Sequence, residues 1–261
     1  MAGTPLVRFE EAHGAGWITL DDAEHGNCFN LESVADFRRA VAAAKAANVG
    51  VIVIQAEGRS FCVGGDLAAF SAAPDPGAYL DDLAEALHRE VSELMHLDAI
   101  VVSAVRGTAA GAGVAFAACA DLVIAAESAK FTFAYTKVGL TPDGGSSLLV
   151  ESIGLHRTLY LALLNPLLSA REAYLAGLVS EVHADEEFAD GLAAIVAQLV
   201  NGSRPALVAA KRLIRAQASP SPEAALRREV LAMREAAGSP DGAEGVAAFL
   251  AKRVPVFPSN G

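Results

Sequence analysis

The chain has 261 residues, 53% of them hydrophobic on a broad count and 20% charged, enough to bury the core of one globular domain of ordinary to large size. Its formal net charge of −11 argues against nucleic acid as a partner, because phosphates demand basic surface. An anionic substrate would have to be held by local Lys or Arg residues or by backbone N–H groups.

In chain order, residues 7–10 and 16–20 predict a hairpin joined through His13-Gly14. Asn30 is placed to cap a helix running through Ala35, Phe37, Val41 and Ala44, whose spacing follows the helical period. Residues 49–55 (VGVIVIQ) are an unbroken apolar run of strand length, and residues 100–105 (IVVSAV) and 121–125 repeat the type. Residues 78–96 read as a helix between them. Apolar strands separated by helices predict a sheet buried on both faces and an α/β architecture. From Gly144 onward the pattern is helical, punctuated at Asn165-Pro166, Gly177, Asn201-Gly202 and Ser219-Pro220. Residues 178–182 are an exception that predicts a short edge strand. Helices over 205–217, 222–237 and 242–252 must bury their apolar faces on the core or on another subunit.

No run approaches the roughly 20 apolar residues of a membrane span, and residues 1–10 lack the basic flank and apolar stretch of a signal peptide. Cys28, Cys62 and Cys119 have neither metal-type nor disulfide-framework spacing. They suit buried thiols of a reduced, cytoplasmic protein. The six histidines show no HxxxH or Cys-His clustering, so no metal is expected.

The chemistry signal is a pair of glycine-rich segments, each following an apolar strand. Residues 56–67 (AEGRSFCVGGDL) follow the first, and residues 106–113 (RGTAAGAG) follow the second and enter an apolar helix. Small residues let backbone N–H groups approach a ligand closely. A helix N-terminus adds free N–H groups and a dipole that favours negative charge. Two such N–H groups aimed at one carbonyl oxygen make an oxyanion hole. The same segments also serve as tight turns that pack helices on a sheet. Neither is a dinucleotide or phosphate loop, since GxGxxG and Gly-Lys-Ser/Thr are both absent.

The strings SFCVGGDL, AVRGTAAGAG with CADLVIAAESAKF, KVGLTPDGGSS and REAYLAGLVSEV, in this order, resemble the crotonase superfamily (the enoyl-CoA hydratase/isomerase family) from about Phe9 to the C-terminus. The resemblance implies an α/β, ClpP-like crotonase fold of repeated ββα units, with residues 1–200 as the core holding the CoA site and 201–261 as a helical trimerisation region. It implies a homotrimer or homohexamer, a coenzyme A thioester as substrate and no bound cofactor. It assigns the oxyanion N–H groups to Gly65 and Ala112, where the family usually has glycine at the second. Asn27, Cys28 and Phe29, with Gly65, Asp66, Leu67 and Ala68, match segments that line CoA. Lys252 and Arg253 are candidate phosphate partners.

The family's hydratases use two glutamates, and the matching positions here are Ala115 and Tyr135. What remains is Asp143, where several family isomerases keep a lone acid. One carboxylate suffices to move a double bond, taking a proton from C2 and returning it at C4. Asp143 is also placed to cap a helix beginning near Gly144. In the superfamily's dehalogenases an Asp at this place is a nucleophile with a His base, and His88 and Tyr135 fall on the auxiliary positions. Phe131, Phe133 and Tyr135 would shape an apolar acyl pocket or belong to the core. Three readings follow: an isomerase of an enoyl or ring-epoxide acyl-CoA; a hydratase with non-standard residues or a dehalogenase-like hydrolase; and a non-catalytic acyl-CoA-binding protein.

Overall fold

Strands that send alternate side chains to opposite faces, both of them apolar, can only be accommodated between two layers. The computed structural model, which describes residues 4–218 and 221–260, builds this arrangement in its larger sheet. The predicted break at Ser219-Pro220 and the first three residues of the segment read for a signal peptide lie outside the described residues.

The chain begins with the hairpin β1 (Val7–Ala12) and β2 (Ala15–Leu20), then α1 (Leu31–Ala47). Asn30 caps α1 in a reciprocal box with Ser33, as its sequence position suggested. Three strand pairs follow: β3 (Val51–Ala56) with β4 (Ser60–Cys62), β5 (Ile100–Val105) with β6 (Thr108–Ala110), and β7 (Leu122–Ala126) with β8 (Lys130–Thr132). Helices α2 (Leu67–Ala72) and α3 (Pro76–His96) separate the first two pairs, and α4 (Ala112–Ala118) the last two. After β8 come α5 (Leu149–Ile153), α6 (Leu155–Leu164), β9 (Leu168–Ser169), α7 (Ala170–Ala176), β10 (Glu181–His183), α8 (Phe188–Val200), α9 (Arg204–Ala218), α10 (Pro222–Ala237) and α11 (Pro240–Leu250).

The first strand of each pair joins a six-stranded sheet in the order β1-β2-β3-β5-β7-β10. The second joins a smaller sheet, β4-β6-β8-β9, in which β4, β6 and β8 run parallel. This is the repeated ββα plan. In β3, Ile52 and Ile54 face the main core, shared with α1 and α3, while Val51 and Val53 face Phe188, Leu192 and Val196 of α8. Phe116 of α4 anchors the main core edge-on to Phe29 and Phe37, with ring centroids 5.2 and 5.1 Å apart. Helix α10 packs along α3, bringing the C-terminal region onto the core. Among the described residues no single helix is long and apolar enough to cross a membrane.

Several boundaries differ from expectation. Strand β3 starts at Val51 rather than 49, because Asn48 ends α1 in the left-handed region (φ +52°) and the chain is still turning. Strands β4 and β6 lie inside the segments read as glycine-rich loops, being too short to show a period. The edge strand forms at 181–183 rather than 178–182, since Leu178 and Val179 are spent in the buried turn after α7.

A Cβ built on Gly113 would lie 2.2 Å from the Cys62 carbonyl oxygen, so α4 sits directly against the end of β4. Gly113→Ala is expected to lower unfolding free energy by about 2 kcal/mol or more, since neither backbone can give way. An unchanged urea midpoint would contradict this close approach.

Candidate active site

The ends of the small-sheet strands meet at a cavity of about 290 Å³, walled by Phe29, Leu83, Leu87, Phe133 and Tyr135 and reached by Asp143. The strands β4 and β6 place two backbone turns beside it. Gly64 (φ +95°) brings these turns into contact, for a Cβ there would lie 3.0 Å from the Ala110 oxygen and 3.3 Å from the Ala112 nitrogen. The next residue, Gly65, faces open space. Ala112 is the first residue of α4, where an N–H has no partner within its own helix. Neither the Gly65 nor the Ala112 N–H meets an acceptor among the described residues. Two free donors therefore flank the cavity, as an oxyanion hole requires.

Asp143 lies on the turn between β8 and α5 and is only 9% exposed. Its carbonyl accepts hydrogen bonds from the Tyr135 hydroxyl (2.7 Å) and the Ser146 hydroxyl (2.8 Å). Its carboxylate caps no helix: the 3-10 turn Ser146–Leu148 begins after Gly145 and has no side-chain cap. The capping alternative is thus corrected, because the side chain is turned inward instead. Burial holds the Tyr135 phenol well above its ordinary pKa, and the charges of Asp143 and Glu229 act in the same direction. Tyr135 therefore keeps its proton, which is engaged by the Asp143 carbonyl.

His88 does not merely cover a helix face. It is buried on α3, with Nε2 3.0 Å from Asp143 Oδ1. The Gly144 N–H also donates to Nε2, at 3.1 Å. One ring nitrogen cannot both accept from Gly144 and donate to Asp143. When it accepts from Gly144, the buried Oδ1 has no donor, and an ionised carboxylate would face a nitrogen lone pair.

A third residue was not found in the sequence. Glu229 of α10 is 7% exposed. It accepts from the backbone N–H groups of Gly145 (2.8 Å) and Ser147 (2.6 Å) and from the Ser147 hydroxyl. Burial lifts its carboxyl pKa above the ordinary value, and the Asp143 charge adds to this, against the bonds from Ser147 and Gly145. His88, Asp143 and Glu229 place one ligand-type atom each within 4.8 Å of the others. They come from three elements far apart in the chain, so no sequence spacing revealed them. The trio fits a metal poorly: Gly144 occupies the imidazole lone pair, and both Glu229 oxygens already take N–H donors.

The other expected residues divide. Phe29, Gly65, Leu67 and Ala112 line the cavity. Asn27 spends its amide on the Glu57 and Ser60 carbonyls and the Asp22 N–H. Asp66 caps α2 through the N–H groups of Ala68 and Ala69. Cys28 is buried, and Phe131 belongs to the core. Ala115 lines a separate cavity on the far side of α4. Arg253 forms an exposed pair with both Glu244 oxygens. The cavity also takes Met233 and Phe249 from beyond residue 200.

The enoyl-CoA hydratase/isomerase family model matches residues 10–260. The chain is similar to a probable enoyl-CoA hydratase of Rhodobacter capsulatus, 38% identical over 96% of this chain and 97% of that one. It is 36% identical to the 1,2-epoxyphenylacetyl-CoA isomerase of Escherichia coli, over 94% and 95% of the two chains. The crystal structure of an enoyl-CoA hydratase from Mycobacterium avium subsp. paratuberculosis superposes with a TM-score of 0.88, at 31% identity over 97% of this chain and 98% of that one.

Burial pushes the Cys28 thiol up to about 11 and those of Cys62 and Cys119 to about 12. At pH 8 under one thiol in about a thousand is then ionised even at Cys28. The native chain is expected to show no fast reaction with an aromatic disulfide reagent, and three reactive thiols once unfolded. One rapid native thiol would contradict the burial described.

Proposed function

The chain belongs to the enoyl-CoA hydratase/isomerase family, and from that premise we propose that it isomerises an unsaturated or ring-modified acyl-CoA with Asp143 as its one proton carrier. The observation that carries this reading is the buried Asp143 oxygen without a donor, in an apolar cavity flanked by the free N–H groups of Gly65 and Ala112.

The thioester carbonyl oxygen accepts from both N–H groups. Asp143 removes a proton from C2, and the C–H electron pair moves into the thioester enolate, whose negative oxygen the two donors stabilise. The double bond shifts, and the carboxyl group returns the proton at C4 of the same face. Atoms and charge balance within the substrate, with no water consumed. The absence of a carboxylate at 115 and 135 supports proton transfer without hydration, which requires a second group to activate water. Tyr135 shapes the cavity wall and orients the Asp143 carbonyl. The apolar walls suit an uncharged acyl portion.

The 3.0 Å approach of His88 to Asp143 favours a second reading, hydrolysis through an acyl or aryl ester on Asp143 with His88 as base. The two readings differ in mass balance: isomerisation preserves product mass, whereas hydrolysis adds water and splits the substrate. A non-catalytic acyl-CoA binder would do neither.

With 3-enoyl-CoA, 2-enoyl-CoA and a ring-epoxide aryl-CoA offered in turn, one is expected to change its absorbance without changing its mass. Asp143→Asn is expected to lower that rate by roughly 10²–10⁴-fold, with acyl-CoA affinity kept within about threefold. Binding without turnover by the parent protein would sink the proposal. Ala112→Pro provides a second check, since proline is tolerated at a first helical position but has no N–H. It is expected to reduce kcat about 10²-fold, and unchanged turnover would exclude Ala112 from the oxyanion hole.

A further inference from the structure

A carboxylate buried without a cation is unfavourable unless nearby donors satisfy it. Glu229 is such a group: it has no ion-pair partner among the described residues, and its charge is met by three donors instead. All three belong to Gly145 and Ser147, on the one turn that carries Asp143. The rest of that turn is held from other sides. Tyr135 and Ser146 bind the Asp143 carbonyl, and His88 takes the Gly144 N–H. Gly145 has φ +101° and no side chain with which to anchor itself. Without Glu229 its N–H and that of Ser147 would be stranded in a buried site, and the turn would rotate to find other partners. Met233, one helical turn further along α10, lines the cavity. Helix α10 thus roofs the cavity and grips the turn beside it.

We propose that Glu229 is a positioning residue: from α10 it fixes the turn bearing Asp143 at the separation from the Gly65 and Ala112 N–H groups that proton transfer requires. This inference rests on the isomerase reading for its catalytic consequence, but not for the grip itself.

Glu229→Gln is the test, because the amide keeps one acceptor oxygen but sets an NH₂ against the second backbone donor. The expected result is kcat lower by about 10–100-fold with KM within about threefold, as for a displaced catalytic group. It includes faster hydrogen exchange at the Gly145 and Ser147 amides, read by mass spectrometry or NMR. Unchanged kcat, or unchanged exchange at both amides, would overturn the inference. If the parent protein isomerises none of the three thioesters, the Asp143 reading fails, and the exchange measurement alone still decides the grip. Should Glu229→Gln not fold, Ser147→Ala deletes one of the three donors and leaves the backbone intact. A fall in kcat of about threefold at constant KM then supports the inference, and no change refutes it.

Discussion

The ladder of hydrogen bonds between β4, β6 and β8 sets the distances on which the cavity depends. These strands pair in parallel, Ser60 with Thr108 and Cys62 with Ala109 on one side, and Ala109 with Phe131 and Ala110 with Thr132 on the other. Each strand is three residues long, and each is followed within three residues by a residue of the site. Gly65 follows β4, Ala112 follows β6, and Phe133 and Tyr135 follow β8. Neighbouring strands in a sheet lie roughly 4.8 Å apart, so three groups from separate segments reach one small volume without side-chain guidance. The larger sheet makes this possible by holding β3, β5 and β7 in the same order. One strand order thus repeats in two sheets. A slip in the large sheet would misplace the N–H groups in the small one.

The polar groups of the site are handled differently from those elsewhere in the protein. Asp121 shows the ordinary solution: it pairs with Lys211 at 2.9 Å and Arg215 at 2.7 Å and accepts the Val101 N–H at 2.8 Å. Its charge is neutralised, and it holds α9 to the start of β5. Among the described residues neither Asp143 nor Glu229 has a Lys or Arg partner. Glu229 is met by backbone and hydroxyl donors, whereas the Asp143 oxygen beside His88 has none. A group so placed responds strongly to a proton or to a developing negative charge nearby, because little solvent screens it.

The large-scale plan was legible in the amino-acid order. Unbroken apolar runs such as IVVSAV marked central strands, and Asn30 marked a helix start, because burial on two faces and capping leave local signals. The glycine-rich segments marked two turns beside the strands, and it was the family resemblance that assigned Gly65 and Ala112 within them. Strands of three residues, β4, β6 and β8, carry no period and could not be read. Asp143 stood out by its motif. The spatial role of His88 did not, since an imidazole on an amphipathic helix looks the same whether it turns to solvent or to a carboxylate. Glu229 was invisible: in α10 it sits among Arg and Glu residues that face water, and only the packing of α10 on α3 turns it inward. Local patterns report local energetics, and this trio is made by long-range packing alone.

The dependence of Asp143 on Glu229 has a consequence for synthesis. Domains assemble from the N-terminus as the ribosome delivers them, and both sheets and the acid-bearing turn emerge well before α10. Until nearly the whole chain has been made, that turn has no grip from α10, and the cavity lacks Met233 and Phe249. A nascent or C-terminally shortened chain would present apolar walls to the cell but not an ordered site. Chemical competence is therefore tied to completion of the polypeptide, which makes the final helices a quality check on the molecule that carries them.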